Sequence, residues 1–283
     1  MEFGASIFFT DYSISPAELA VALEERGFDS VWAAEHSHIP VPRRTPPPGG
    51  GELPKRYYDV MDPFVTLTAA AAATRRLQVA TGICLVIQRD TIQTAKSVAS
   101  IDQISGGRFL FGIGGGWNVE EVEAHGTDFG TRMEKMREQM EAMKEIWTKS
   151  TAEYSGKIVK VPSMQTWPKP VQKPYPPILL GGAFPYAARR AIRYGDGWYP
   201  TGGGANLEQD LPRFREMAAA AGRDPQSLSV TVGGATEDLA QLQRLRDLGV
   251  ARVVTPLPPE KADKLMPILD RWTTLIRQLQ PDR

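Results

Sequence analysis

Short apolar runs alternate with helix-like stretches from one end of the chain to the other, eight times over. The runs are 3–9, 30–34, 77–86, 108–113, 178–180, 197–199, 228–232 and 250–255. Each is followed by a helical pattern, at 16–26, 62–73, 91–104, 132–148, 185–194, 207–221, 237–248 and 261–278. Runs this short, bounded by turn residues, read as buried strands. Strands that alternate with helices lie parallel and are joined by right-handed crossovers. Eight such units in 283 residues predict one α/β domain over 1–283, a closed (β/α)8 TIM barrel, which typically takes about 250 residues. An open doubly wound sheet is the weaker fit.

Local signals agree with the frame. Ser15-Pro16 reads as an N-cap followed by proline at the first helical position, and Gly27 as the stop. Asp62-Pro63 opens the second helix in the same way. The segment 154–161 reads as a small β-hairpin inserted after the fourth helix. From 39 to 58 runs a loop rich in proline and glycine, directly after strand two. Loops of that length in compact domains are usually lids, binding loops or disordered segments.

Composition narrows the function classes. Lysine plus arginine equals aspartate plus glutamate, 33 each, so no net positive charge draws nucleic acid. The one cysteine, Cys84, excludes an intrachain disulfide framework and a multi-cysteine zinc site; within its apolar run it reads as a core thiol. The residues Met1 to Ala5 lack the basic and apolar stretches of a signal peptide, and no apolar run nears the roughly 18 residues of a membrane span. The expected compartment is the cytoplasm, and the expected partner a small-molecule substrate.

Chemistry in such a barrel sits just beyond the C-terminal ends of the strands. Strand two ends in Glu35-His36-Ser37-His38. A histidine there is placed for proton transfer near neutral pH. The His-x-His spacing could also begin a metal site, but His125 is the only other histidine, and no metal is expected. Strand three ends in Thr81-Gly82-Ile83-Cys84. Strand four ends in Gly112-Ile113-Gly114-Gly115-Gly116-Trp117, which fails the G-x-G-x-x-G dinucleotide fingerprint. It leaves a strand end stripped of side chains, where a flat ligand or another stretch of backbone can approach. Strand five runs into Gly181-Gly182-Ala183-Phe184 and then a helix, an arrangement that can bind phosphate. No phosphate-binding lysine loop and no G-x-S-x-G elbow occurs.

In this order the pieces resemble the luciferase-like flavin and deazaflavin oxidoreductases over essentially the whole chain. The resemblance rests on 32–36 (WAAEH), Asp62-Pro63-Phe64, 105–109 (SGGRF), 112–117 (GIGGGW) and 195–198 (GDGW). Most specific are 36–40 (HSHIP), the loop ending 51–54 (GELP) and 167–172 (WPKPVQ), which are similar to an actinobacterial branch assigned to coenzyme F420. The resemblance implies a homodimer and a cofactor ring lying across the barrel mouth. That cofactor is F420 or, alternatively, FMN. The ring would be backed by a bulge with a non-proline cis peptide at Gly82-Ile83. Thr81, Gly82, Ile83, Gly114, Trp117, Gly181, Gly182, Ala183 and Phe184 become the implied cofactor-binding residues. His36 would face the reactive centre of the ring, with Glu35 as the acid before it. A proton-donating glutamate of the sugar-phosphate dehydrogenases falls on Trp117 and an asparagine-type cofactor ligand on Glu120, so sugar-phosphate oxidation is not expected. The implied activity is hydride transfer between F420 and an organic substrate. An FMN-dependent monooxygenase and a non-catalytic cofactor carrier are the other readings. The basic residues Arg43, Arg44, Lys55 and Arg56 of the long loop are candidate contacts for the anionic tail of F420.

Overall fold

Eight parallel strands hydrogen-bond edge to edge until the last meets the first. The computed structural model describes residues 1–204 and 206–280. In chain order its elements are β1 (Glu2–Ile7), α1 (Pro16–Glu25), β2 (Ser30–Ala33), α2 (Arg56–Asp59), α3 (Pro63–Ala73), β3 (Gln78–Thr81), α4 (Thr91–Ser105), β4 (Phe109–Ile113), α5 (Val119–Ala124) and α6 (Arg132–Thr148). There follow β5 (Ala152–Ser155), β6 (Lys160–Met164), β7 (Ile178–Gly181), α7 (Tyr186–Tyr194), β8 (Gly197–Tyr199), α8 (Leu207–Ala220), β9 (Ser229–Gly233), α9 (Leu239–Asp247), β10 (Arg252–Pro256) and α10 (Ala262–Leu279). The barrel order is β1-β2-β3-β4-β7-β8-β9-β10, closed by β10 on β1. The predicted (β/α)8 barrel is therefore the observed one.

Strand periodicity builds two apolar layers, because successive side chains point to opposite faces. Trp32, Ala80, Leu110, Leu179 and Val254 form one buried cluster inside the barrel. Their neighbours Val31, Val79, Phe109, Ile178 and Val253 join the larger core under the helices. The helices start where side chains satisfy their free amides. Ser15 accepts from the Glu18 amide, Asp62 from those of Phe64 and Val65, and Asp90 from that of Gln93.

The hairpin β5-β6 is antiparallel and stands apart from the barrel sheet. Glu138 of α6, 2% exposed, pins its turn by accepting from the amides of Lys157, Ile158 and Val159 at 3.1, 2.8 and 2.9 Å. Those bonds hold its carboxyl below the usual range against the opposing effect of burial.

Three details depart from the sequence reading. Strand β3 stops at Thr81, not at 86. The chain bulges out of the sheet at Gly82 and Ile83, touches β4 again at Cys84, and turns through a 3-10 segment at Val86–Gln88. The short helix α5 between β4 and α6 was not expected, and neither was α2 inside the long loop. Among the described residues no helix is long and apolar enough to cross a membrane.

Candidate functional site

The bulge after β3 shapes the mouth of the barrel. Gly82-Ile83 is a cis peptide, as the resemblance implied. Cys84 then donates its amide to the Gly112 carbonyl at 2.7 Å, and the Gly114 amide donates back to Cys84 at 3.0 Å. The Ile83 side chain drops into space that glycines at the ends of β4 and β7 leave open. A Cβ on Gly114 would lie 2.0 Å from Ile83 Cδ1, and one on Gly181 would lie 2.8 Å from it. A Cβ on Gly112 would lie 2.1 Å from the Thr81 carbonyl oxygen. These glycines are there so that the bulge can approach. Cys84 is fully buried, and burial pushes its thiol well above the usual range.

Beyond β2, His36 is held from behind. Its Nδ1 donates to Glu121 Oε2 at 2.8 Å, and the same carboxylate accepts from the Ser37 amide at 3.1 Å. Glu121 is fully buried, and the His36 side chain is 7% exposed. An ionised carboxylate only accepts, so the hydrogen sits on Nδ1 and Nε2 is the nitrogen left for chemistry. Glu35 plays another part. Its carboxylate accepts from the Leu85 amide at 2.5 Å and from Arg89 Nε at 2.6 Å. Arg89 reaches on to Asp62, the cap of α3. Burial works against the Arg89 charge, but Glu35 and Asp62 outweigh it and hold the guanidinium above its usual range. Glu35 thus ties β2 to the bulge.

A cavity of about 480 Å³ opens in front of these groups. One side is the bulge and the glycine turns, with Gly82, Ile83, Gly115, Gly181, Gly182 and Ala183. The other is aromatic: Phe8, His36, Tyr57 and Trp117 line it, with the Tyr57 and Trp117 rings 5.1 and 5.8 Å from that of His36. Of the residues singled out in the sequence, Glu35, His36, Gly82, Ile83, Trp117, Gly181, Gly182 and Ala183 meet at this cavity. Thr81, Gly114 and Phe184 lie behind its walls. Thr81 is fully buried and donates its hydroxyl to the Gly112 carbonyl; Gly114 makes room for Ile83; and Phe184 packs on Trp198 with ring centroids 5.8 Å apart.

The long loop folds back over the mouth, and Pro48 and Tyr57 become part of the lining. Its charges are engaged locally. Arg44 pairs with Glu120 and Lys55 with Asp59. Arg43 lies over the Trp117 ring at 5.6 Å, and Arg56 over Phe8 and Tyr57 at 5.4 and 5.7 Å. Glu120 is the loop's main anchor, accepting from the Thr45 hydroxyl at 2.6 Å and the Arg44 amide at 2.9 Å. The Thr45 bond first, then those from Arg44, hold its carboxyl at about 2.

Sequence reasoning missed Glu121, because α5 spans only six residues and shows no helical period. The available signal was Asn118 followed by two acids, the pattern of a helix start. Asn118 was missed as well. It is 1% exposed, stands directly after Trp117, and neither atom of its amide has a hydrogen-bond partner among the described residues. A buried amide in that state costs about 1–3 kcal/mol, and a polar ligand edge reaching it would recover this. A flat ring suits such a site, glycine-walled on one face and aromatic on the other; Asn118 follows the lining residue Trp117 but is not itself part of the lining. Among the described residues no three His, Cys, Asp or Glu side chains converge as metal ligands; His38 and His125 both meet Ser37 Oγ, at 2.9 and 2.7 Å.

Residues 15–237 match the luciferase-like monooxygenase family. An uncharacterized protein of Mycobacterium tuberculosis is 38% identical over 281 residues, covering 96% of this chain and 97% of that protein. The F420-dependent glucose-6-phosphate dehydrogenase of Amycolatopsis mediterranei is 28% identical over 224 residues, covering 76% of this chain and 62% of that enzyme. Among solved structures, monooxygenase RslO1 from Streptomyces bottropensis superposes with a TM-score of 0.80 at 20% identity, covering 99% of each chain; at that identity the likeness concerns the fold.

Proposed function

The chain belongs to the luciferase-like monooxygenase family, and on that footing we propose that it is an oxidoreductase moving a hydride between coenzyme F420 and a small organic substrate. The observation that carries this reading is the buried His36–Glu121 pair, 2.8 Å apart, facing a cavity whose far side is glycine and bulge backbone. Relatives named as F420-dependent dehydrogenases, matching about three-quarters of this chain, favour F420 over FMN.

The residues divide the work. The Gly82-Ile83 backbone and the Gly181-Gly182 turn offer a flat floor without side chains. The Asn118 amide, buried and unpartnered beside Trp117, keeps a donor and an acceptor for a ring edge that reaches past the lining. Trp117 and Tyr57, under the folded loop, keep water from the reacting centre. A bound deazaflavin supplies or takes up the hydride; the protein supplies placement and proton chemistry. His36 Nε2 holds or releases the proton that accompanies each hydride, and Glu121 fixes the ring so that this nitrogen faces the substrate. In this scheme Glu35 and Glu121 are positioning residues.

The test is a side-by-side fluorescence titration with F420 and FMN, followed by a substrate screen that reads oxidation of reduced F420. Preferential F420 binding with substrate-dependent oxidation is expected. Micromolar FMN binding without F420 binding overturns the cofactor, and F420 binding without turnover on any substrate makes the chain a carrier.

A further inference from the structure

The Arg190 side chain has no carboxylate partner and no hydrogen bond among the described residues, yet it lines the cavity. It stands one helical turn beyond Tyr186 on α7, and both side chains border the same opening beside Gly182 and Ala183. A second arginine stands close by. Arg132, at the start of α6, donates to the carbonyl of Gly115, itself part of the lining, at 3.0 Å, and to that of Phe129 at 2.6 Å. Burial lowers the Arg132 guanidinium first, and the positive charge of Arg190 lowers it further; no carboxylate offsets either effect. Arg190 thus borders the cavity with no acid bonded to it, and Arg132 reaches the same wall through the carbonyl of Gly115. Other partly buried arginines have their guanidinium groups engaged, Arg89 by Glu35 and Asp62, Arg137 by Glu141, and Arg108 and Arg223 by backbone carbonyls.

We propose that Arg190, backed by Arg132, is the seat for the anionic group of whatever occupies the cavity, a phosphate or carboxylate held at the α7 rim. The inference rests on the cofactor reading above and names where its charge sits: across the opening from the long loop, whose own cations are engaged by Glu120, Asp59 and aromatic rings. A guanidinium binds such oxyanions with two parallel hydrogen bonds. An unpaired cation in the lining, with a second behind Gly115, also favours an anion over a neutral group. The same chemistry serves a phosphodiester of the cofactor or an acidic group of the substrate.

Arg190→Gln is the informative variant, because nothing else in the fold leans on that side chain, whereas Arg132 also stacks over Phe129. Binding is measured for paired ligands with and without phosphate: F420 against its phosphate-free deazaflavin fragment, and FMN against riboflavin. Wild type should prefer the phosphorylated member of the pair it binds by about tenfold or more, and the preference should shrink with salt. In Arg190→Gln it should fall to about threefold or less, with the phosphate-free ligand bound as before. An undiminished preference in the variant overturns the proposal and leaves the cofactor reading standing. A parallel arm measures the melting temperature in inorganic phosphate against chloride at equal ionic strength. Equal binding of both ligands, together with a phosphate-dependent rise seen only in wild type, assigns the seat to the substrate's anion. If wild type binds no flavin or deazaflavin the cofactor reading fails, and the phosphate arm alone then decides: a rise lost in Arg190→Gln upholds the seat, and no rise overturns it.

Discussion

The two walls of the cavity are held up by different physics. The bulge wall is made by close approach: Ile83 sits where Gly114 and Gly181 have no side chains, and Thr81 presses on Gly112. Charge enters only behind it, where the buried Glu35–Arg89 pair ties β2 to Leu85 at the end of the bulge. The aromatic wall is made by two consecutive acids of one short helix. Glu121 points inward and holds His36 and Ser37; Glu120 points outward and holds Arg44 and Thr45 of the long loop. The first wall should tolerate pH and salt and resist any added volume. The second should tolerate changes of volume and depend on two carboxylates.

The most damaging single change should fall in the first wall. Gly112→Ala places a methyl 2.1 Å from a backbone oxygen that the barrel holds fixed, so the cost should reach the top of the overpacking range, about 3 kcal/mol. That corresponds to a loss of roughly 6–10 °C in melting temperature. Gly114→Ala meets only the far end of Ile83 and should cost less, about 1–2 kcal/mol. Adding Ile83→Ala should return part of that loss, a coupling of at least about 1 kcal/mol in urea titrations. If Gly112→Ala melts like wild type, the bulge is looser than its geometry indicates.

The second wall should lose chemistry before it loses stability. His36→Ala should lower turnover by about 10²-fold or more, the range for a general acid–base group. Glu121→Gln should lower kcat by about tenfold while the cofactor dissociation constant stays within about threefold, because it acts only through His36. Nitrogen NMR of the imidazole offers a check that needs no substrate. Wild type should show Nδ1 protonated, and a neutral ring protonated only on Nε2 would sink the Glu121 assignment.

How much of each wall could be read in advance follows from the same difference. The barrel and the glycine turns were legible, because strand periodicity and missing side chains leave local marks; the bulge came only from the family resemblance, since the apolar run 77–86 reads as unbroken strand. Even so, the glycines had two readings. Gly114 proved to serve the approach of Ile83, which only the three-dimensional neighbourhood reveals. His36 was legible by its place after a strand. Its partner was not: Glu121 lies 85 residues away on a helix too short for a periodic pattern. Glu35, adjacent to His36 in sequence, looked like the natural acid, but its carboxylate bonds Leu85 and Arg89. Side chains next to one another in sequence beyond a strand turn to different surroundings, and sequence adjacency says little about which pair will meet. The four loop cations were read as candidate contacts for the F420 tail for the same reason, since their acidic partners Glu120 and Asp59 and their aromatic partners could not be assigned without the fold.

The smallest effect belongs to the outer acid. Glu120 holds the long loop down through Thr45 and Arg44, and these bonds keep its carboxyl at about 2, below the roughly 4.3 of a free glutamate. A carboxyl depressed in the closed state favours closure fully above the free value, and that contribution disappears as pH falls through the depressed one. The loop should therefore stay clamped from pH 8 down to about 5 and loosen only as pH approaches about 2–3. A spin label at Val41→Cys can follow this, since Val41 is 91% exposed and Cys84, the other thiol, is fully buried. Wild type should show a constant, restricted label across the neutral range and added mobility in acid. Glu120→Gln keeps the shape of the side chain but not its charge, and the label should be moderately more mobile at pH 7, with little further change down to pH 3. Any change in substrate KM should stay within a few-fold, because exposed pairs of this kind contribute only about 0–1 kcal/mol. Identical label mobility in wild type and Glu120→Gln at pH 7 would show that the aromatic contacts of Arg43 and Tyr57, not the outer acid, hold the loop in place.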